Sequence, residues 1–367
     1  MAASDVFQNH INGSIDKGEF CSQQIVIDLN KILNSHDSTE LQKMQLEFET
    51  NGWCFVLLPP ELSPQETLIN ELTQFFGSGV HAKSRHIGRQ STYGYSHVVD
   101  HKEGIKLLTG SYYEKFANKG LIPKTLIQPL NYLSQMFDAV TKHLVEILEQ
   151  NSVFKQQFQD LSSSLVERAN LPWAEEYFGM LDVVLYFNKQ SGFQPPEIGQ
   201  TTAEVNCVPH YDPGLLSISV LSTHEGLQLK NLISNQWVNG PVQPNVGVIW
   251  LGEAASRATN NRLKPGIHRV VYPQESNQRL TIWYELCTIE QLKSMSITGK
   301  HEKMAPGTVV FDNLPGSEPI RVLPDESKLD FLKRIESSRG LSMSKSKPPR
   351  YKLDKHVVSY PTPIKKE

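Results

Sequence analysis

His210 and Asp212 form an H-x-D triplet within Pro209-His210-Tyr211-Asp212-Pro213-Gly214, and His268 follows 56 residues on (268 − 212). Two imidazoles and one carboxylate on neighbouring strands can cover one face of an octahedral metal and leave three adjacent positions open. That donor set suits non-haem Fe(II), with room for a co-substrate and O2. Closed tetrahedral zinc would need a fourth protein ligand, and none is evident. Eleven residues past His268 (279 − 268) stands Arg279-Leu280-Thr281. Alternation along a strand puts Arg279 and Thr281 on one face. Arg279 can fork onto a carboxylate with two parallel N–H···O bonds, and the Thr281 hydroxyl can add a third. A metal triad with such a clamp fits a chelating keto-diacid.

These residues need rigid strands beneath them, and the second half of the chain supplies the pattern. From about residue 178 the apolar period changes from 3.6 to 2. The runs Leu181–Phe187, Leu215–Thr223, Leu227–Leu232, Val246–Gly252, His268–Tyr272, Arg279–Leu286 and Thr308–Asp312 read as strands parted by Gly, Pro and Asn turns. Seven short strands at this spacing predict a β-sandwich or barrel. The first half is mixed. Gln24–Leu29 and Trp53–Leu58 read as strands. Helices are expected from Ser38 or Thr39, as cap, to Thr50, over Ser63–Phe76, over 125–150 and over 153–168. Residues 77–125 read mostly as loop, and Asp100 with Glu103 reads as a capping box. That box explains the triplet His101-Lys102-Glu103 without a metal. His224 reads as an exposed residue with no site role. Tyr93, Tyr95, Tyr112 and Tyr113 read as packing between helices and barrel, with lining a substrate pocket as the alternative.

Composition closes off several classes. The 367 residues carry 36 Lys and Arg against 39 Asp and Glu, a net charge of −3, which gives no electrostatic footprint for nucleic acid. No run approaches the ~18 apolar residues of a membrane span, and the N-terminus lacks a secretory pattern. The four cysteines, Cys21, Cys54, Cys207 and Cys287, include no CxxC pair, so free thiols in a reducing, cytoplasmic setting are expected. Cys207, three residues before His210, is the only one with a candidate reactive role. Residues 1–22 read as a flexible tail, 23–175 as a mixed and helical module, 176–332 as the β-rich domain and 333–367 as a basic tail.

At this point the chain resembles a known family. It is similar to the iron(II)/2-oxoglutarate-dependent oxygenases, in the branch shaped like isopenicillin N synthase. The likeness runs through His210–Ser219, Glu225–Leu229, Gln236–Val238, Val246–Glu253, Pro265–Val271 and Arg279–Ile282, with Ile25–Leu29 and Glu47–Val56 matching an N-terminal module. The resemblance implies an α+β fold: a double-stranded β-helix (jelly-roll) core with flanking helices and an N-terminal mixed α/β module. It implies Fe(II) held by His210, Asp212 and His268, with 2-oxoglutarate held at its distal carboxylate by Arg279 and Thr281, where the family has Arg-x-Ser. A family tyrosine that helps bind 2-oxoglutarate falls near Tyr186, although the usual Asn-Tyr-Tyr-Pro is absent. The implied reaction oxidises a small organic molecule with O2 and releases succinate and CO2. The expected partner is that small molecule, with no nucleic acid and no membrane, on a monomer or weak homo-oligomer. Three alternatives stay open: an Fe(II) oxidase of the same fold that does not use 2-oxoglutarate, a catalytically silent ligand-binding protein, and a protein or nucleic-acid hydroxylase.

Overall fold

The computed structural model describes residues 25–87, 94–98, 102–108, 120–150, 179–187, 205–259, 261–272, 278–287, 309–310 and 320–321. The chain starts on the edge of a sheet. β1 (Val26–Asp28) runs parallel to β2 (Trp53–Leu57). The expected strand over Gln24–Leu29 stops at Asp28, because the Asp28 side chain accepts from Lys31 N and starts a helix, α1 (Leu29–Ser35), that the apolar run concealed. α2 (Ser38–Thr50) is capped by Asp37 rather than by Ser38 or Thr39. The Asp37 carboxylate takes both the Thr39 and Glu40 amides, at 2.9 and 3.0 Å, and a carboxylate is the stronger acceptor for the positive end of a helix.

Gly52 turns the chain from α2 into β2 with φ of +76°, and a Cβ there would stand 2.6 Å from the Pro265 carbonyl carbon. Gly52→Ala is therefore expected to destabilise the protein by more than about 1 kcal/mol, from the backbone conformation and the collision together. A urea midpoint equal to that of the wild type would mean that the Lys264–Pro265 backbone yields.

α3 (Glu66–Gly77) and a one-turn helix, α4 (Val80–Ser84), lead to a hairpin of β3 (Gly94–Val98) and β4 (Lys102–Leu108). This hairpin overturns the expectation of loop over 77–125, and the capping box with it. Glu103 lies inside β4, buried, with its carboxylate on Lys83 Nζ at 2.7 Å and on the Tyr95 hydroxyl. A buried cation and a free sheet edge outweigh a local cap, whose worth is about 1 kcal/mol. Asp100 lies outside the described residues, as do Tyr93, Tyr112, Tyr113, the expected helix over 153–168 and the tail segments 1–22 and 333–367. Tyr95 packs edge-on to Phe75.

α5 (Lys124–Gln150) matches the expected helix over 125–150 and buries Leu126, Leu130, Leu133, Phe137, Leu144 and Leu148 along one side. It packs on the outer face of the large sheet. Phe137 stacks on Tyr284 at 5.4 Å, and the Tyr284 hydroxyl donates to Asp138 at 2.7 Å. No helix among the described residues is long and apolar enough to cross a membrane.

The remaining strands are β5 (Gly179–Tyr186), β6 (Val205–Tyr211), β7 (Leu216–Ser222), β8 (Leu227–Lys230), β9 (Trp237–Asn239), β10 (Val246–Leu251), β11 (His268–Val271), β12 (Arg279–Leu286), β13 (Val309–Val310) and β14 (Ile320–Arg321), with α6 (Glu253–Ala258) between β10 and β11. They fall into two sheets of a mixed α/β fold. The larger has the order β1-β2-β10-β7-β12-β5-β4-β3 and the smaller β14-β13-β6-β11-β8-β9. Strands from β5 to β12 cross repeatedly between them. β6 and β9 lie outside the strands expected from the alternation. β6 carries Pro209, which has no N–H to give a ladder, and β9 is three residues long. Trp53, Phe55, Leu227, Leu229, Val248 and Trp250 fill the space between the sheets at one end. Val184, Tyr186 and Val270 do so near the site.

Candidate metal centre and carboxylate clamp

The ladder between β6 and β11 pairs His210 directly with His268, so two imidazoles meet across one sheet. Their ring centres are 4.3 Å apart. Asp212 follows β6 by one residue and turns back towards them. Its Oδ1 lies 3.7 Å from His210 Nε2 and 3.8 Å from His268 Nε2. The three candidate ligand atoms all sit within 4.8 Å of one another, close enough for one ion to touch all three. Among the described residues this is the only such cluster of His, Cys, Asp and Glu.

The neighbours aim these donors. Asp212 Oδ2 accepts from the Ser217 hydroxyl and from the Trp250 indole N–H, each at 2.6 Å, which leaves Oδ1 facing the imidazoles. His268 Nδ1 lies 3.1 Å from the Gly266 carbonyl; donation there fixes the tautomer and frees Nε2 as a donor to metal. The protonation states suit a cation. Burial, with help from His210, drives His268 down to about 4, so it is neutral at neutral pH. Burial raises the Asp212 pKa, but His268, His210, Ser217 and Trp250 together outweigh it and keep the carboxyl below its usual range. Trp250→Phe is expected to weaken metal binding by about 10–100-fold, as loss of an outer partner does, without replacing a ligand. A metal titration of that variant equal to the wild type would remove Trp250 from this role.

Arg279 opens β12 and is 2% exposed. Its Nε donates to the Ser222 hydroxyl at 2.7 Å, and Nη2 donates to the Thr281 hydroxyl at 3.3 Å. Thr281 passes its own proton to the Leu221 carbonyl at 2.8 Å, so here the hydroxyl orients the guanidinium. Arg279 Nη1 is buried with no partner. A buried, unpaired guanidinium donor is costly, and an anion on it would offset that cost. Burial lowers Arg279 to about 10, which still leaves it charged. Gly226, one strand away, gives the arginine stem room: a Cβ there would stand 3.1 Å from Arg279 Cδ.

Tyr186 ends β5 directly opposite Arg279, whose guanidinium carbon stands 5.4 Å from the ring centre. On the other side of β5, Lys102 of β4 pairs with the same tyrosine and sets its ammonium 5.3 Å from the ring centre. Cys207 is half-buried with Sγ 3.9 Å from His210 Nδ1. Burial resists its ionisation, but His210 and Lys102 bring the thiol down to about 7. His224 stands apart from the triad, with Nδ1 3.1 Å from the Thr223 hydroxyl. Ser217, Trp250 and Lys102 escaped the sequence reading. The first two act on Asp212 across the sheet, which no local spacing shows, and Lys102 stood inside the supposed capping box.

Comparison with known proteins agrees with this geometry. Residues 183–288 match the sequence model of the 2OG-Fe(II) oxygenase superfamily. A 2-oxoglutarate-dependent dioxygenase, citB, of Monascus ruber is 31% identical over 77 residues, 21% of this chain and 22% of that protein. A 2-oxoglutarate-dependent dioxygenase of Didymella fabae is 26% identical over 88 residues, 24% and 27% of the two chains. The matched stretch thus spans about a quarter of these relatives or less. The fold extends further. A full-length Neurospora crassa protein, solved in complex with alpha-KG and 5-formyluracil, superposes with a TM-score of 0.56 at 17% identity over 85% of this chain and 95% of its own. The dioxygenase for auxin oxidation from rice superposes at 0.53 and 16% identity over 87% and 96%.

Proposed function

We propose that the chain is an Fe(II)- and 2-oxoglutarate-dependent dioxygenase that hydroxylates, desaturates or cyclises a small organic molecule. The observation that carries this is the pairing, in one interior, of a three-donor metal site with a buried arginine that has a donor to spare. His210, Asp212 and His268 would hold Fe(II), which supplies O2 activation coupled to decarboxylation of the keto-acid. Arg279, aligned by Ser222 and Thr281, would hold the distal carboxylate, and the Tyr186 ring would wall that end. Strands β5–β12, with their repeated crossing between sheets, read as a double-stranded β-helix within a domain of about 176–332. The β1–β2 pair and its helices read as the N-terminal module of the isopenicillin N synthase-like branch. A neutral His268 beside an ionised Asp212 leaves neither of these two ligands a proton to displace when metal enters.

The test is anaerobic titration of Fe(II)-loaded protein with 2-oxoglutarate, followed by the weak visible charge-transfer band. A saturable band is expected. Iron uptake without a band would favour a same-fold oxidase that does not use 2-oxoglutarate. Failure to take up iron would leave a ligand-binding protein.

A further inference from the structure

We propose that Lys102 anchors the substrate of this site, and that the substrate is a small carboxylic acid bound as its anion. The inference deepens the dioxygenase reading and rests on it. Directly paired residues on adjacent strands share a face. Tyr186 packs against Val270 and Cys207 of the opposite sheet, so its face is the interior one, and Lys102 projects into the same interior.

Among the described residues the Lys102 ammonium makes no ion pair of its own. The carboxylate on the facing strand, Asp182, is already bridged by Lys106 at 3.0 Å. The Tyr186 phenol, whose ring centre stands 5.3 Å from the ammonium, offers no charge to pair with it. Lys102 is also distinct from the arginine clamp. β4 and β12 flank β5, so Lys102 and Arg279 stand on either side of Tyr186, about two strand spacings or ~10 Å apart in backbone. One distal carboxylate cannot serve both. Arg279 has the fork and the spare Nη1, which leaves Lys102 for a different anion.

Lys102 stands over the Tyr186 ring, Tyr186 packs with Cys207, and Cys207 touches His210, so an acid on this ammonium would lie within the length of a small molecule from the metal position.

The test uses full-length protein loaded with Mn(II) and saturating 2-oxoglutarate. Phenylacetate with phenylacetamide, and hexanoate with hexanamide, are titrated by proton relaxation enhancement. In at least one pair the acid is expected to bind 10-fold or more tightly than its amide. Lys102→Met is expected to erase that preference, Lys102→Arg to keep it, and both to hold 2-oxoglutarate within about 2-fold of wild type. Retained 2-oxoglutarate binding also shows that the variants fold. Three results would overturn the proposal: no acid preference in either pair, a preference that survives Lys102→Met, or a variant that loses 2-oxoglutarate instead. A wild type that binds neither Mn(II) nor 2-oxoglutarate would remove the dioxygenase reading itself, a different and recognisable failure.

Discussion

Asp212→Asn is expected to weaken Fe(II) binding by more than about 100-fold and to abolish decarboxylation of 2-oxoglutarate, while the folded protein survives. A ligand should count for more than an outer partner, whose loss costs about 10–100-fold. The side chain is nearly isosteric, and its carbonyl oxygen can still accept from Ser217 and Trp250, the two donors that hold Asp212 Oδ2 at 2.6 Å. What changes is the group facing His210 and His268: an anionic oxygen becomes an amide N–H2, which repels a cation. The measurement is competition against a chromophoric chelator, with circular dichroism as the control on folding. Unchanged metal affinity in Asp212→Asn would sink the triad, and the assignment of His210 and His268 with it.

Arg279→Ala is expected to leave metal binding intact and to weaken 2-oxoglutarate binding by roughly 30-fold to several thousand-fold, the range for truncating one partner of a buried charged pair at about 2–5 kcal/mol. The loss should be selective. A keto-acid of the same length without the distal carboxylate, 2-oxopentanoate, should bind wild type and variant alike, because the guanidinium is placed to serve the far end. Arg279→Lys should recover only part of the affinity, since an ammonium cannot reproduce the fork that Ser222 and Thr281 align. Equal loss for both keto-acids would mean that Arg279 supports the fold of the site and not the carboxylate.

The placement of the candidate residues was legible because they follow strand periodicity. Arg279 and Thr281 share a face of β12, and His268 opens β11, as alternation requires. The strand holding His210 was harder to see, since Pro209 interrupts it. The partnerships of the site were not legible at all. Ser217 and Trp250 reach Asp212 from β7 and β10, and the sheet order that brings them there is a property of the whole chain. The hairpin of β3 and β4 hid for a related reason. Its Gly- and Tyr-containing sequence lacks a strong apolar alternation. It is held by pairing with β5 and by the buried contact of Glu103 with Lys83, both distant in sequence. A local capping pattern was the stronger signal until those contacts were in view.

The indole that steadies Asp212 has an optical consequence. Trp250 gives its N–H to a carboxylate that faces the metal position, and its ring lies 4.7 Å from the imidazole of His268. The excited state of an indole responds to charge and to quenchers at that range, so arrival of a cation at the triad should be written into the protein's ultraviolet emission. The molecule thereby carries its own indicator of occupancy, one that needs no dye and no turnover.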